Sequence, residues 1–267
     1  MMTASTRAIS QGAAQQVRDS LVMVKRNLLR IVRLPQLLFF SSVQPIIFLL
    51  LFTYVFGGAI TRGTDVSYIN FLLPGILVQT AVFGATQTAI GLTEDLAAGV
   101  IDRFRSLPMA RSAVLTGRTT ADLLRNAAVT LIMIAVGTLI GFRIGGTVPE
   151  ALLGIVIALL LGFSISWSMA ALGLWVKNAE TAQTASFILM FPLVFASSIF
   201  VPTQSMPSWL QGFAANQPVS VVAKTVRALM GGLPVGSLIL QSLLWIAAIL
   251  AVFFPLGVAL YRRAVST

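Results

Sequence analysis

The sequence predicts an all-α integral membrane protein with six transmembrane helices, an amphipathic interface helix before them, and a short cytoplasmic helix between spans two and three. Three observations carry this expectation. First, 57% of the 267 residues are hydrophobic and 10% charged, with a mean hydropathy of +0.92, whereas soluble domains carry roughly a quarter charged residues. Second, apolar runs long enough to cross a ~30 Å hydrocarbon core as helices occur about Leu37–Gly57, Phe71–Leu92, Ala121–Gly141, Ala151–Val176, Ala182–Val201 and Leu238–Leu260. Third, the basic residues fall mainly on one side of these runs. The runs are continuous rather than alternating, which excludes a transmembrane β-barrel and leaves helices to satisfy the backbone in lipid.

A net charge of +10 and a pI near 11.4 would suit a nucleic-acid partner, so the placement of the cations decides. With the N-terminus inside, Arg7, Arg18, Lys25, Arg26, Arg30, Arg33, Arg103, Arg105, Arg111, Arg118, Lys177, Arg262 and Arg263 lie inside, and only Arg62, Arg143, Lys224 and Arg227 outside. This is the positive-inside pattern. It predicts a multi-pass protein of the plasma (cytoplasmic) membrane with both termini cytoplasmic and no nucleic-acid partner. Residues 1–36 form the cytoplasmic N-terminus, 37–260 the six-span domain and 261–267 a cytoplasmic tail. The first 36 residues lack the long apolar stretch of a cleavable signal peptide. The sequence contains no Cys and no His, which removes His or Cys metal sites, zinc-dependent proteases and Ser-His intramembrane proteases from consideration.

Along the chain, Val17, Leu21, Val24, Leu28 and Ile31 recur at helical spacing, with Arg18, Lys25, Arg26 and Arg30 largely off that stripe. This pattern suits a helix lying among anionic headgroups, ended by Pro35 where the first span turns into the bilayer. The next soluble element is EDLAAGVIDRFRSLPMAR, Glu94 to Arg111. Leu96, Val100, Phe104 and Leu107 share one face; Glu94 and Asp95 stand in the first turn and Arg103 and Arg105 near the end, as the helix dipole favours. Pro108 stops it. In the third span, Asp122 and Arg125 lie one turn apart near the inner boundary and can pair as an anchor. Gly137 and Gly141 have the spacing of a small-residue packing motif. After the fifth span, Met206, Trp209, Leu210 and Phe213 recur at helix-like spacing, and Trp is at home at a membrane interface. No midplane carboxylate of the kind used by proton- or sodium-driven carriers is visible.

Two stretches resemble a known family. Glu94, Gly99, Asp102, Arg103, Arg105, Ser106, Leu107, Pro108 and Arg111 look like the cytoplasmic signature of type-2 ATP-binding-cassette transporter permeases, particularly the daunorubicin/doxorubicin-resistance-like branch. Pro202, Met206, Pro207, Trp209, Asn216, Pro218 and Arg227 stand in the order of that branch's extracellular part. At the later acidic position the chain has Asp102 where Glu is common in the wider family. The resemblance implies a permease coupled to a separate cytoplasmic ABC ATPase through a coupling segment, 94–111, with Glu94, Asp95, Gly99, Asp102, Arg103, Phe104, Arg105, Leu107, Pro108 and Arg111, and through the interface helix with Arg18, Lys25, Arg26 and Arg30. It also implies a second permease copy, as homodimer or heterodimer. An extracellular helical hairpin in segment 202–219, with Pro202, Trp209, Asn216 and Pro218, would cap the exit before span six.

No phosphate-binding loop is present, since no Gly-Lys pair occurs, so the chain is no enzyme; it binds no cofactor itself, and ATP and Mg²⁺ belong on the partner ATPase. Spans two and five contribute to the path in the family, which makes Gln79, Thr80, Gln87, Phe187, Phe191, Phe195 and Ser198 its possible lining; such polar and small residues equally serve helix packing in membranes. The predicted function is outward movement of a hydrophobic or amphipathic compound, a drug, antibiotic or lipid/polyketide. The alternative is a polytopic scaffold that recruits a cytoplasmic partner without transporting. Membrane lipids are partners in either case.

Overall fold

The computed structural model describes residues 35–57, 68–98, 111–176 and 178–266, and these are predominantly helical. Helix α1, Pro35–Leu51, continues into a π turn at Phe52–Phe56. It is followed by α2, Tyr68–Ala97, α3, Arg111–Leu139, α4, Val148–Val176, and α5, Ala179–Phe195. A single 3₁₀ turn at Thr203–Ser205 leads to α6, Ser208–Asn216, α7, Pro218–Gly231, and α8, Leu238–Ser266. Their boundaries have local causes. Asn178 caps α5 by accepting from the Thr181 N–H at 3.0 Å. Pro218 opens α7 where its missing N–H costs nothing, and Gly232, at φ 67°, ends it.

Among the described residues, five helices are long and apolar enough to cross a membrane: α1 with its π turn, α2, α3, α4 and α8. The expected fifth run, Ala182–Val201, instead gives the 17-residue α5, about 25 Å long at 1.5 Å per residue. It ends three residues after Pro192, and the Ser197 hydroxyl donates to the Val194 carbonyl where the chain turns away. The expected spans are otherwise present as helices, several of them longer than the apolar run that announced them.

The bundle is built around α2, whose Leu72, Leu73, Ile76, Leu77, Val78, Ala81 and Val82 are fully enclosed or nearly so. Lipid tails are as apolar as leucine side chains, so close packing rather than exclusion of water must hold such helices together. Glycines supply the closeness. A Cβ on Gly162 of α4 would stand 2.9 Å from the Ala81 carbonyl oxygen, and one on Gly173 would stand 2.7 Å from that of Ala89, so α4 lies backbone to backbone along α2. Gly137 of α3 likewise makes room for Leu73. Its expected companion Gly141 does not pack: α3 ends at Leu139, and Gly141 stands in the turn at φ 110° with nothing near its Cβ position. The spacing that suggested a motif falls across a helix end.

Gly173→Leu is expected to drive α4 off α2 and destabilise the protein by about 1–3 kcal/mol. Gly212→Ala, at a position with open space around it, is expected to be neutral. Thermal unfolding in detergent, followed by size-exclusion fluorescence, distinguishes them.

Candidate functional site

The polar chemistry of the bundle gathers at the interface of α2 and α3. Arg118, Asp122 and Arg125 occupy positions i, i+4 and i+7 of α3 and so form one stripe. That stripe faces Gly84 and Gly91 of α2, where a Cβ would collide with the Asn126 amide and the Arg118 guanidinium respectively. In the space so left, Arg118 Nη1 lies 3.0 Å from Asp95 Oδ2 and Arg118 Nε 3.9 Å from Asp122 Oδ2, and Arg125 Nη2 lies 3.2 Å from Asp122 Oδ1. The Thr88 hydroxyl donates to Asp122 Oδ2 at 2.7 Å, and Arg125 Nη2 donates to the Gly84 carbonyl at 3.0 Å. Two guanidiniums and two carboxylates thus alternate along the helices with no net charge. The Asp122–Arg125 pair expected from the sequence is present as the inner part of a longer ladder. Arg118, counted from the sequence only as a topological cation, is its centre. The signal that would have revealed it was the alternation of charge at i, i+4, i+7 opposite two glycines seven residues apart.

Beside the ladder, α1, α2 and α3 enclose a cleft of about 80 Å³ lined by Ser41, Gln44, Pro45, Gln79, Thr80, Phe83, Gly84, Gln87, Arg125, Asn126 and Val129. Gln79 is only 2% exposed, yet its Oε1 has no hydrogen-bond partner. Thr80 donates to the Ile76 carbonyl at 2.8 Å, which ties its hydroxyl to its own helix. Of the expected path residues, Gln79, Thr80 and Gln87 therefore share one cleft. Phe187, Phe191 and Phe195 form a file along α5, with centroids 5.2 and 4.2 Å apart. Phe83 joins cleft and file, its ring centroid 6.2 Å from that of Phe187. Beyond Phe195 the file continues through Phe200 to Phe52 and Phe56 of the π turn after α1, at 5.2, 4.4 and 5.1 Å. Ser198 lies apart from these residues, buried under α7, where its N–H donates to Ser220 Oγ at 3.0 Å.

The segment before α8 is more deeply built in than a short hairpin over 202–219. Pro202 precedes the 3₁₀ turn, and Trp209 projects from α6 with 78% exposure. Asn216 closes α6 by donating to the Gly212 carbonyl at 2.9 Å, and Pro218 begins α7. That second arm runs on to Gly231, and Val219, Val222, Ala223 and Val226 are fully buried. A residue the site reasoning missed holds it. Arg227 Nε donates to the Phe71 carbonyl at 2.9 Å, and Nη2 to those of Ser198 and Ile199 at 3.1 and 3.4 Å. Its guanidinium carbon sits 3.7 Å from the Phe71 ring centroid. The Tyr68 hydroxyl donates to the Phe200 carbonyl at 2.7 Å and Gln217 Nε2 to that of Leu193 at 2.7 Å, so the turn after α5 has its backbone oxygens answered by side chains.

Of the expected coupling residues, Glu94 and Asp95 end α2 and Arg111 opens α3. Gly99, Asp102, Arg103, Phe104, Arg105, Leu107 and Pro108 lie outside the described residues, as do Arg18, Lys25, Arg26 and Arg30 of the expected interface helix.

Residues 19–231 match the ABC-2 type transporter family. The chain is 36% identical over 254 residues to the daunorubicin resistance ABC transporter permease protein DrrB1 of Streptomyces coeruleorubidus, covering 94% of this chain and 88% of that one. It is 30% identical over 257 residues to the probable doxorubicin resistance ABC transporter permease protein DrrC of Mycobacterium tuberculosis, covering 96% and 92%. A putative transport permease of Cyanophora paradoxa, ycf38, is 26% identical over 216 residues, covering 80% and 74%.

Removing the central carboxylate from the ladder leaves two guanidiniums facing each other across its place. Asp122→Ala is expected to cost about 3–5 kcal/mol, and Asp122→Ala/Arg125→Leu less than the sum of the single changes. A double-mutant cycle of unfolding free energies in mixed micelles reads this coupling.

Proposed function

The chain belongs to the ABC-2 type transporter family, and from that premise we propose that it carries a hydrophobic or amphipathic compound outward across the plasma membrane. It is the transmembrane permease subunit of an ABC exporter and not itself an enzyme; hydrolysis belongs to a separate ABC ATPase subunit. In this reading α5 is the short fifth of six spans, both termini are cytoplasmic, and two permease copies, identical or different, flank the path within the surrounding lipid. ATP and Mg²⁺ bind on the ATPase. The names of two relatives carry amphipathic drugs, daunorubicin and doxorubicin.

One observation carries the reading. Asp95 belongs to the charged segment 94–111 and also holds Arg118 of α3 at 3.0 Å. A displacement of that segment is therefore delivered to α2 and α3 together, through an ion pair continuous with Asp122 and Arg125. Glu94, Asp95 and Arg111 stand at the helix ends that flank this segment, and we assign ATPase coupling to them together with Gly99, Asp102, Arg103, Phe104, Arg105, Leu107, Pro108, Arg18, Lys25, Arg26 and Arg30. The source of energy fits. Among the described residues, Glu94, Asp95, Glu150 and Glu180 stand in terminal turns of helices, and the one interior carboxylate, Asp122, is engaged by two arginines. No free acid is left there to bind a driving proton or Na⁺. At the other end, α6 and α7 cap the exit, with Trp209 at the interface.

Co-expression with the ATPase subunit tests the coupling. Phe104→Ala and Asp95→Ala are expected to leave the permease in the membrane and to reduce permease-dependent ATPase activity and efflux by at least about fivefold. Unchanged activity in both variants would sink the coupling role of the segment.

A further inference from the structure

We infer that the cleft between α1, α2 and α3 binds the uncharged, hydrogen-bonding head of an amphipathic molecule whose apolar body lies along the phenylalanine file of α5. The inference rests on the export reading and names the chemistry that its path accepts.

The first argument is the unpartnered amide. A carbonyl oxygen buried without a partner costs about 1–3 kcal/mol; Gln79 Oε1 stands in that condition, and Gln79 is one of the residues that line the polar cleft. Its neighbours are already engaged: Thr80 with Ile76, and Asn126 Nδ2 with the Ala81 carbonyl at 3.5 Å. A ligand hydroxyl or amide N–H supplies what the protein does not. Gln44 and Gln87, exposed at the rim, add groups that both donate and accept.

The second argument is charge. Among the described residues Arg125 is the only charged one that lines the cleft, and Asp122 and the Gly84 carbonyl hold it. An anionic head would have to displace Asp122 from it. A cationic head would meet a guanidinium on the wall and no carboxylate. A neutral head meets three glutamines.

The third argument is size. Drug-sized pockets measure ~300–1,000 Å³, and this one is about 80 Å³, enough for a head group alone. The rest of the ligand must lie outside. Phe83 forms part of the cleft wall and touches Phe187, and Phe187 and Phe191 are 52% and 42% exposed. Their exposed side chains offer an apolar track that begins where the head is held. Glycolipids of the bilayer and soluble glycosides share the required chemistry.

The permease and its ATPase subunit are placed in phosphatidylcholine–phosphatidylglycerol nanodiscs. They are photolabelled with an alkyl β-glucoside that carries a diazirine in its chain, and labelled residues are mapped by mass spectrometry. Labels are expected on α1–α3 and near Phe187. An unlabelled alkyl glucoside is expected to compete at least about tenfold better than the alkyl sulfate or alkyltrimethylammonium of equal chain length. Gln79→Leu, of similar size and without the orphaned oxygen, should melt no lower than the parent protein and lose about tenfold in labelling. Equal competition by the three heads, or full labelling of Gln79→Leu, overturns the assignment. Glucosyl diacylglycerol added to the discs competes if the bilayer supplies the ligand and does not if only the soluble amphiphile enters; both results support the shared chemistry and assign its source. Because the readout is binding, an assembly that exports without head-selective labelling defeats this inference alone. An assembly whose ATPase never responds to the permease defeats the export reading.

Discussion

Arg118 and Arg125 can lie between two membrane helices only because Asp122 stands between them and α2 leaves them room. A lone guanidinium within a bundle would raise the cost of inserting α3 by several kcal/mol. The alternation Asp95, Arg118, Asp122, Arg125 removes the net charge, and Gly84 and Gly91 remove the steric obstacle. Arg118 Nη2 and Arg125 Nη2 also donate to the Gln87 and Gly84 carbonyls of α2. The geometry of the neighbouring cleft follows, since Arg125 and Asn126 form its floor only in the positions that the ladder and Gly84 impose. Hydrogen bonding, helix approach and cleft shape are here one constraint.

The opposite end of α2 meets the same requirement with different means. Among the described residues no carboxylate pairs with Arg227; three carbonyl oxygens and the face of Phe71 take its charge. An irregular turn at membrane depth needs donors for its exposed oxygens, and an arginine supplies several in fixed geometry. Each end of α2 is thus joined to a neighbouring element by a guanidinium, while Gly162 and Gly173 seat α4 along its middle. Among the membrane-length helices described, the most enclosed is also the one joined to its neighbours at both ends by side-chain contacts.

Much of the fold was legible because apolar length is a strong signal: α1, α2, α3, α4 and α8 are announced by their composition. The short α5 was read three residues late at its start and six too long at its end, since hydropathy does not register the break that follows Pro192. Gly141 misled because spacing alone does not say where a helix stops. The burial of α7 was hidden by its Ser, Thr, Lys and Arg, which are polar by type but are satisfied inside the fold: Ser220 by Ser198, Thr225 by Val221 and Ser242, and Lys224 by the Ala215 carbonyl. For the site, the glutamines and phenylalanines were found by residue type, yet Phe83, which joins them, carried no sequence signal. Arg118 was visible as a charge and invisible as a contact, because its partner Asp95 lies on another helix.

The neutrality of the ladder has an electrical consequence. Moving one elementary charge across a membrane potential of 100 mV involves about 2.3 kcal/mol. Two positive and two negative groups that travel together with α2 and α3 transfer no net charge along the field. A rocking or sliding of these helices therefore moves no net ladder charge through the membrane field, so the ladder itself gives the voltage nothing to act on.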